Sequence, residues 1–191
     1  MADYLLDTNV ISHWYDASHN GPSSSAAGPR RVLENISRVR KPDSRTGYVP
    51  RFFVSFITKG EMHFAARTWM TPDTRNKDFY AKRDADKLRF LREQCPEELE
   101  WDHHVPEIYG ELKAWVLEKC GPKVLRRKSN RLKQLTDPVT ASALDISDND
   151  FWIAAQAMTH DLVLVTQDRR GNFGKVLVHF ASSLRVEDWA R

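Results

Sequence analysis

Four carboxylates fall at matching places along the chain. Asp7 follows the apolar run in "DYLLDTNVISHWY", and Glu61 lies in "VSFITKGEMHFAA". Asp150 opens "NDFWIAAQAMTHD", and Asp168 closes "LVLVTQD". Each sits where an apolar, strand-like run ends or where helical periodicity begins. Carboxylates gathered within a few ångströms repel one another, and some take up protons unless a cation compensates. Hard oxygen donors around an open, partly hydrated position suit Mg²⁺ or Mn²⁺. No cysteine or paired histidine near these acids favours zinc. A carboxylate-held divalent ion beside a basic surface points to phosphodiester hydrolysis. Taken singly, each acid reads more readily as a helix cap or a solvated charge, because Asp and Glu favour helix N-termini; it is four at matching positions that shift the balance.

The elements that position these acids follow from periodicity. Residues 3–6 read as a short buried strand, and a helix follows with Thr8 or Asn9 as its N-cap. The Gly/Ser/Pro-rich stretch from Asn20 to Pro29 reads as a loop, and "RRVLENISRVRK" has a helical period. "RFFVSFIT" (51–58) predicts a second strand, with Thr58 capping the next helix. The charged stretch from Thr71 to Gln94 predicts an exposed amphipathic helix, and "LEWDHH" a third strand. "PEIYGELKAWVLEKCG" has Pro106 near its start and Gly121 past its end, as a helix requires. "NDFWIAAQAMTHD" predicts a helix, and "LVLVTQD" and "KVLVHF" predict two more strands. Strands alternating with helices imply an α/β fold with a mainly parallel sheet of about five strands. The expectation is one domain over residues 1–191, with insertions near 21–50, 71–94 and 121–143. In such sheets the carboxyl ends of the strands share one edge, so the four acids converge there. Asp3 and Asp161 fall at strand starts, on the opposite edge, and are set aside.

Composition narrows the partners. The 191 residues are 41% hydrophobic and 29% charged, a globular balance, with a net charge of +3 and a pI of about 8.9. The mild positive excess favours a polyanionic partner. No apolar run reaches the roughly 18 residues that span a bilayer, and no secretory leader is read, so a cytoplasmic protein is expected. Cys95 and Cys120 form no CxxC or Cys/His ligand pattern and read as reduced thiols. A basic run holds Lys123, Arg126, Arg127, Lys128, Arg131 and Lys133, and a second spans residues 30–51. Either could grip an RNA backbone, dock an acidic protein segment or stay solvated. The tryptophans read mainly as packing, with Trp14 and Trp69 the least decided. His13, His63, His103 and His104 read as structural or surface residues.

Four segments share their order with a known family. "LLDTNVIS", "VSFITKGEMHFAA", "NDFWIAAQAMTHDLVLVTQD" and the tail around "KVLVHF" and "SSLRVEDW" resemble the PIN-domain family, in particular VapC-type toxin ribonucleases. The resemblance implies an α/β/α sandwich, Mg²⁺- or Mn²⁺-dependent cleavage of RNA, a cognate antitoxin and a homodimer. By position it implies Asp7, Glu61, Asp150 and Asp168 as catalytic metal ligands, braced by Thr8, Asn9 and Thr166. Asp148 stays open as an outer or alternative ligand. The chain is longer than such toxins, which leaves a free-standing PIN nuclease in RNA processing as the alternative. Two other classes are a phosphatase with an aspartyl nucleophile and a non-catalytic RNA- or protein-binding module. The phosphatase reading expects Asp-x-Asp, and here the second position is Asn9.

Overall fold

Tyr4–Leu6 forms β1, and both Leu5 and Leu6 are fully buried, as a strand covered on both faces requires. The computed structural model describes residues 2–20, 27–68, 77–95, 97–121, 135–136, 143–144, 146–167 and 184–190. After β1 come α1 (Thr8–Asn20), α2 (Ala27–Val39), β2 (Phe52–Ser55), α3 (Phe56–Thr68) and α4 (Lys77–Gln94). Then follow β3 (Glu97–Leu99), α5 (Val105–Cys120), α6 (Asp148–Thr159), β4 (Val163–Val165) and β5 (Arg185–Glu187). The strands form one parallel sheet in the order β3-β2-β1-β4-β5, so the expected α/β class is borne out. Leu5 lies opposite Phe53, and Val54 opposite Glu98. Parallel pairing needs a crossover between strands, which the helices supply.

The chain divides into two compact units. One contains Met1–Glu100, Val165–Gln167 and Asp188–Arg191; the other contains Trp101–Leu164 and Asp168–Glu187. In the first, α1 packs on α2 and α3 on α4. Its core includes Leu6, Val10, Trp14, Val32, Phe52, Leu91 and Val165. Trp14 packs edge-on against Phe52 and Phe90, so its role is packing. Trp189 is buried between Tyr4 and Phe52, and its carbonyl accepts from Asn35 Nδ2 at 3.2 Å, which fastens the closing segment. In the second unit α5 packs on α6, around the buried Leu112, Val116 and Phe151. No described helix is long and apolar enough to cross a membrane.

Several boundaries depart from expectation for local reasons. Strand β2 ends at Ser55 rather than Thr58, because the Ser55 hydroxyl caps α3, accepting the Ile57 N–H at 3.0 Å. The third strand is Glu97–Leu99, upstream of most of "LEWDHH". Its acids are held by cations on unit-one neighbours, Glu97 by Arg51 and Glu98 by Lys59. The fifth strand is Arg185–Glu187, inside a segment read only as a closing stretch, and "KVLVHF" lies outside the described residues. Trp69 lies outside them as well. Cys95 and Cys120 are free and buried, and burial pushes the Cys95 thiol up to about 12, so it stays an inert thiol.

Asp3, set aside as a site residue, ties the start of β1 to the loop before β2. It accepts the Arg51 N–H at 2.9 Å, pairs with the Arg51 guanidinium at 2.8 Å and accepts from the Tyr48 hydroxyl. Burial pushes its carboxyl up, but these hydrogen bonds and the Arg51 charge outweigh burial and hold it below its ordinary value of 3.8. A lowered native value stabilises the fold above the unfolded value, and the gain is lost as pH falls through the native one. Asp3→Asn is therefore expected to flatten the acid limb: its urea midpoint, measured from pH 5 to pH 2, falls less below pH 3.8 than that of the wild type.

Candidate active site

The centre of the site is Asp7, 9% exposed, at the junction of β1 and α1. Its N–H donates to the Val165 carbonyl at 3.0 Å, which closes the β1–β4 edge. Its carbonyl accepts from Ile11 at 3.1 Å, the first helical bond of α1. Asp7 itself is therefore the N-cap of α1, rather than Thr8 or Asn9. This double duty explains the acid at a strand end: the backbone must leave the sheet and enter a helix in one residue.

The Asp7 carboxylate is held on both oxygens. Oδ1 accepts the Thr8 N–H at 2.7 Å, and Oδ2 accepts the Thr166 hydroxyl at 2.7 Å. Thr166 is buried just after β4. The Thr8 hydroxyl turns the other way and donates to Glu61 Oε2 at 2.5 Å. Thr8 thus links Asp7 to an acid 53 residues beyond Thr8 itself, and Thr166 joins them from the far end of the chain. Three of the predicted group meet around Asp7, as a strand-end cluster requires. Asn9 is exposed on α1 and makes no side-chain hydrogen bond to a described residue.

Glu61 lies in the second turn of α3, slightly deeper than expected. Thr58, three residues earlier, is fully buried, and its hydroxyl has no hydrogen-bond partner among the described residues. Three residues turn a helix by about 300°, so Thr58 and Glu61 lie within about 60° of one another around the axis. Sequence reading gave Thr58 only a capping role; a buried Thr three residues before an acid was its visible signal.

Asp150 is the N3 residue of α6, not its first. Its carboxylate accepts the Ser147 N–H at 2.6 Å, and its own N–H donates to the Ser147 hydroxyl at 3.3 Å, a complete capping box. Ser147 was missed, although "SDND" carries the Ser-x-x-acid signature. Asp148 is already committed. The Tyr109 hydroxyl reaches its Oδ1 at 2.7 Å, and Lys113 pairs with the same oxygen. Burial pushes the Asp148 carboxyl up, but Lys113 and Tyr109 outweigh it and hold the group below the carboxylate range. That engagement makes it a poor second ligand. Asp168 and the run Arg126, Arg127, Lys128, Arg131 and Lys133 lie outside the described residues.

Solved structures share this architecture. A chain of the VapBC2 complex of Rickettsia felis, bound to a DNA fragment from their promoter, superposes with a TM-score of 0.60 at 17% identity. The match covers 97% of this chain and 98% of that one. The chain has a PIN-like fold of the VapC type. VapBC-1 from nontypeable Haemophilus influenzae gives a TM-score of 0.56 at 21% identity, covering 98% of both chains. FitAcB from Neisseria gonorrhoeae gives 0.51 at 20% identity, covering 97% of both. No family model matches the chain, and no curated protein matches it either. At these identities the VapC-type likeness is one of fold, and the chemistry must be argued from the residues.

The donor set suits a hard divalent ion. The acids offer only oxygen atoms, and Asp7 is fixed by two hydrogen bonds before any ligand arrives. The unpartnered Thr58 hydroxyl, close in angle to Glu61, is the kind of orphaned polar group that a hydrated ion's water satisfies.

Proposed function

We propose that the chain is a Mg²⁺- or Mn²⁺-dependent endoribonuclease and the toxin of a toxin–antitoxin pair. The observation that carries this reading is the linked set Asp7–Thr8–Glu61 with Thr166 on the second Asp7 oxygen. Asp7, Glu61 and Asp150 would hold the ion, and Asp168 would complete the pocket. Bound there, a divalent ion lowers the pKa of water and stabilises charge on the phosphate. Thr8 and Thr166 do not make or break bonds; they fix which carboxylate lone pairs face the ligand, as outer-shell partners do. Asp150 is aimed by its capping box, so its position is inherited from the start of α6. Water attacks phosphorus in line, leaving a 5′-phosphate and a 3′-hydroxyl.

The antitoxin assignment draws on the neighbours, which are chains of VapBC and FitAcB complexes. The basic run from Arg126 to Lys133 is assigned to the RNA backbone, and a homodimer belongs to the same reading. The direct test is cleavage of a structured RNA with Mg²⁺, with EDTA, and by Asp150→Asn. Activity is expected only for the wild type with the metal. Full activity in EDTA or in the variant refutes the nuclease reading.

A further inference from the structure

We propose that Asp102, His103 and His104 form a second metal site, built for Zn²⁺ or a neighbouring late first-row ion. It differs in kind from the oxygen-only acids above, because two of its donors are imidazole nitrogens. One ligand atom from each of the three residues lies within 4.8 Å of the other two. Tetrahedral zinc, with bonds of about 2.0–2.2 Å, needs donors roughly 3.4 Å apart. The set closes by small side-chain movements, and the His103 side chain, 83% exposed, is free to make them.

The local backbone already fixes two of the three ligands. Asp102 Oδ1 accepts the His104 N–H at 2.8 Å, and the Asp102 carbonyl accepts from Val105 at 3.1 Å. His104 is the N-cap of α5, and its side chain makes no capping bond to the helix backbone. His103 Nδ1 lies 3.5 Å from Asp102 Oδ1, and the two histidine rings are 3.9 Å apart. Glu107, in the first turn of α5, stands 3.5 Å from His104 Nδ1, beside the set. A helix N-terminus repels a cation, but Asp102 and Glu107 place two negative charges against it.

The test is calorimetric titration of the full, metal-stripped chain with Zn²⁺ in saturating Mg²⁺, so that oxygen-only sites are filled. Co²⁺ absorption in the visible range serves as a second readout of nitrogen ligation. One tight zinc equivalent is expected in the wild type and in Asp7→Asn, which separates this site from the nuclease reading. His103→Ala/His104→Ala is expected to weaken Zn²⁺ by at least about tenfold and to remove the Co²⁺ band. Both side chains are largely exposed, and an unchanged circular dichroism spectrum would show that the variant folds. Equal zinc affinity in wild type and double variant, or a Co²⁺ band that survives in it, overturns the proposal.

Discussion

Asp7→Asn is expected to lower RNA cleavage by more than about a hundredfold while leaving the protein folded. Residues that only orient a metal ligand cost about 10–100-fold when changed, so neutralising a ligand itself costs at least as much. The fold should survive because asparagine can keep the same bonds. Its Oδ1 can still accept the Thr8 N–H, and its Nδ2 can donate to the Thr166 hydroxyl in place of accepting from it. The backbone bonds to Val165 and from Ile11 are untouched. A melting temperature within about 4 °C of wild type, together with loss of cleavage, is the expected pair of results. Cleavage retained in a folded Asn variant would remove Asp7 from the chemistry.

Phe151→Ala is expected to have the largest effect on stability. Among the described residues Phe151 is the largest of the fully buried side chains; it sits beside Asp150 on α6 and meets Tyr109 of α5 edge-on at 6.4 Å. Removing a buried phenylalanine ring costs about 3–5 kcal/mol through lost transfer energy and the cavity left behind. For a chain of this size that corresponds to a fall in melting temperature of about 6–20 °C. The loss of activity should differ from that of Asp7→Asn: cooling should restore cleavage to Phe151→Ala and not to Asp7→Asn. A melting temperature unchanged in Phe151→Ala would mean that α6 is held by something other than this core.

Much of this was legible in the residues, and the failures share a cause. β1, β2 and β4 announce themselves because a strand buried on both faces needs an unbroken apolar run, and "YLL", "FFV" and "VLV" are such runs. β3 and β5 could not be read that way. "EEL" and "RVE" carry charges, lie at the two ends of the strand order, and owe their place to a partner strand rather than to their own propensity. The same logic applies to the site. Asp7, Thr8, Glu61 and Thr166 were each predicted, yet their connection through the Thr8 hydroxyl is a fact of three dimensions. Ser147 is readable as a capping residue from the Ser-x-x-acid spacing of "SDND", but the bond by which it aims Asp150 is not. Reading "LEWDHH" as a strand hides Asp102, His103 and His104, three donors that a turn brings together.

The bond from Thr166 to Asp7 also sets a schedule. The two residues are 159 positions apart, the largest separation among the bonds that shape the site. Contacts so distant in sequence form late, because the intervening chain must first be closed into a loop. During synthesis Asp7 emerges early, but its second oxygen stays unsupported, and its N–H lacks Val165, until β4 has left the ribosome. A nascent chain therefore carries its acids past the translation machinery in an unassembled form. For the ribonuclease proposed above, the order in which the polypeptide appears would itself be a safety catch.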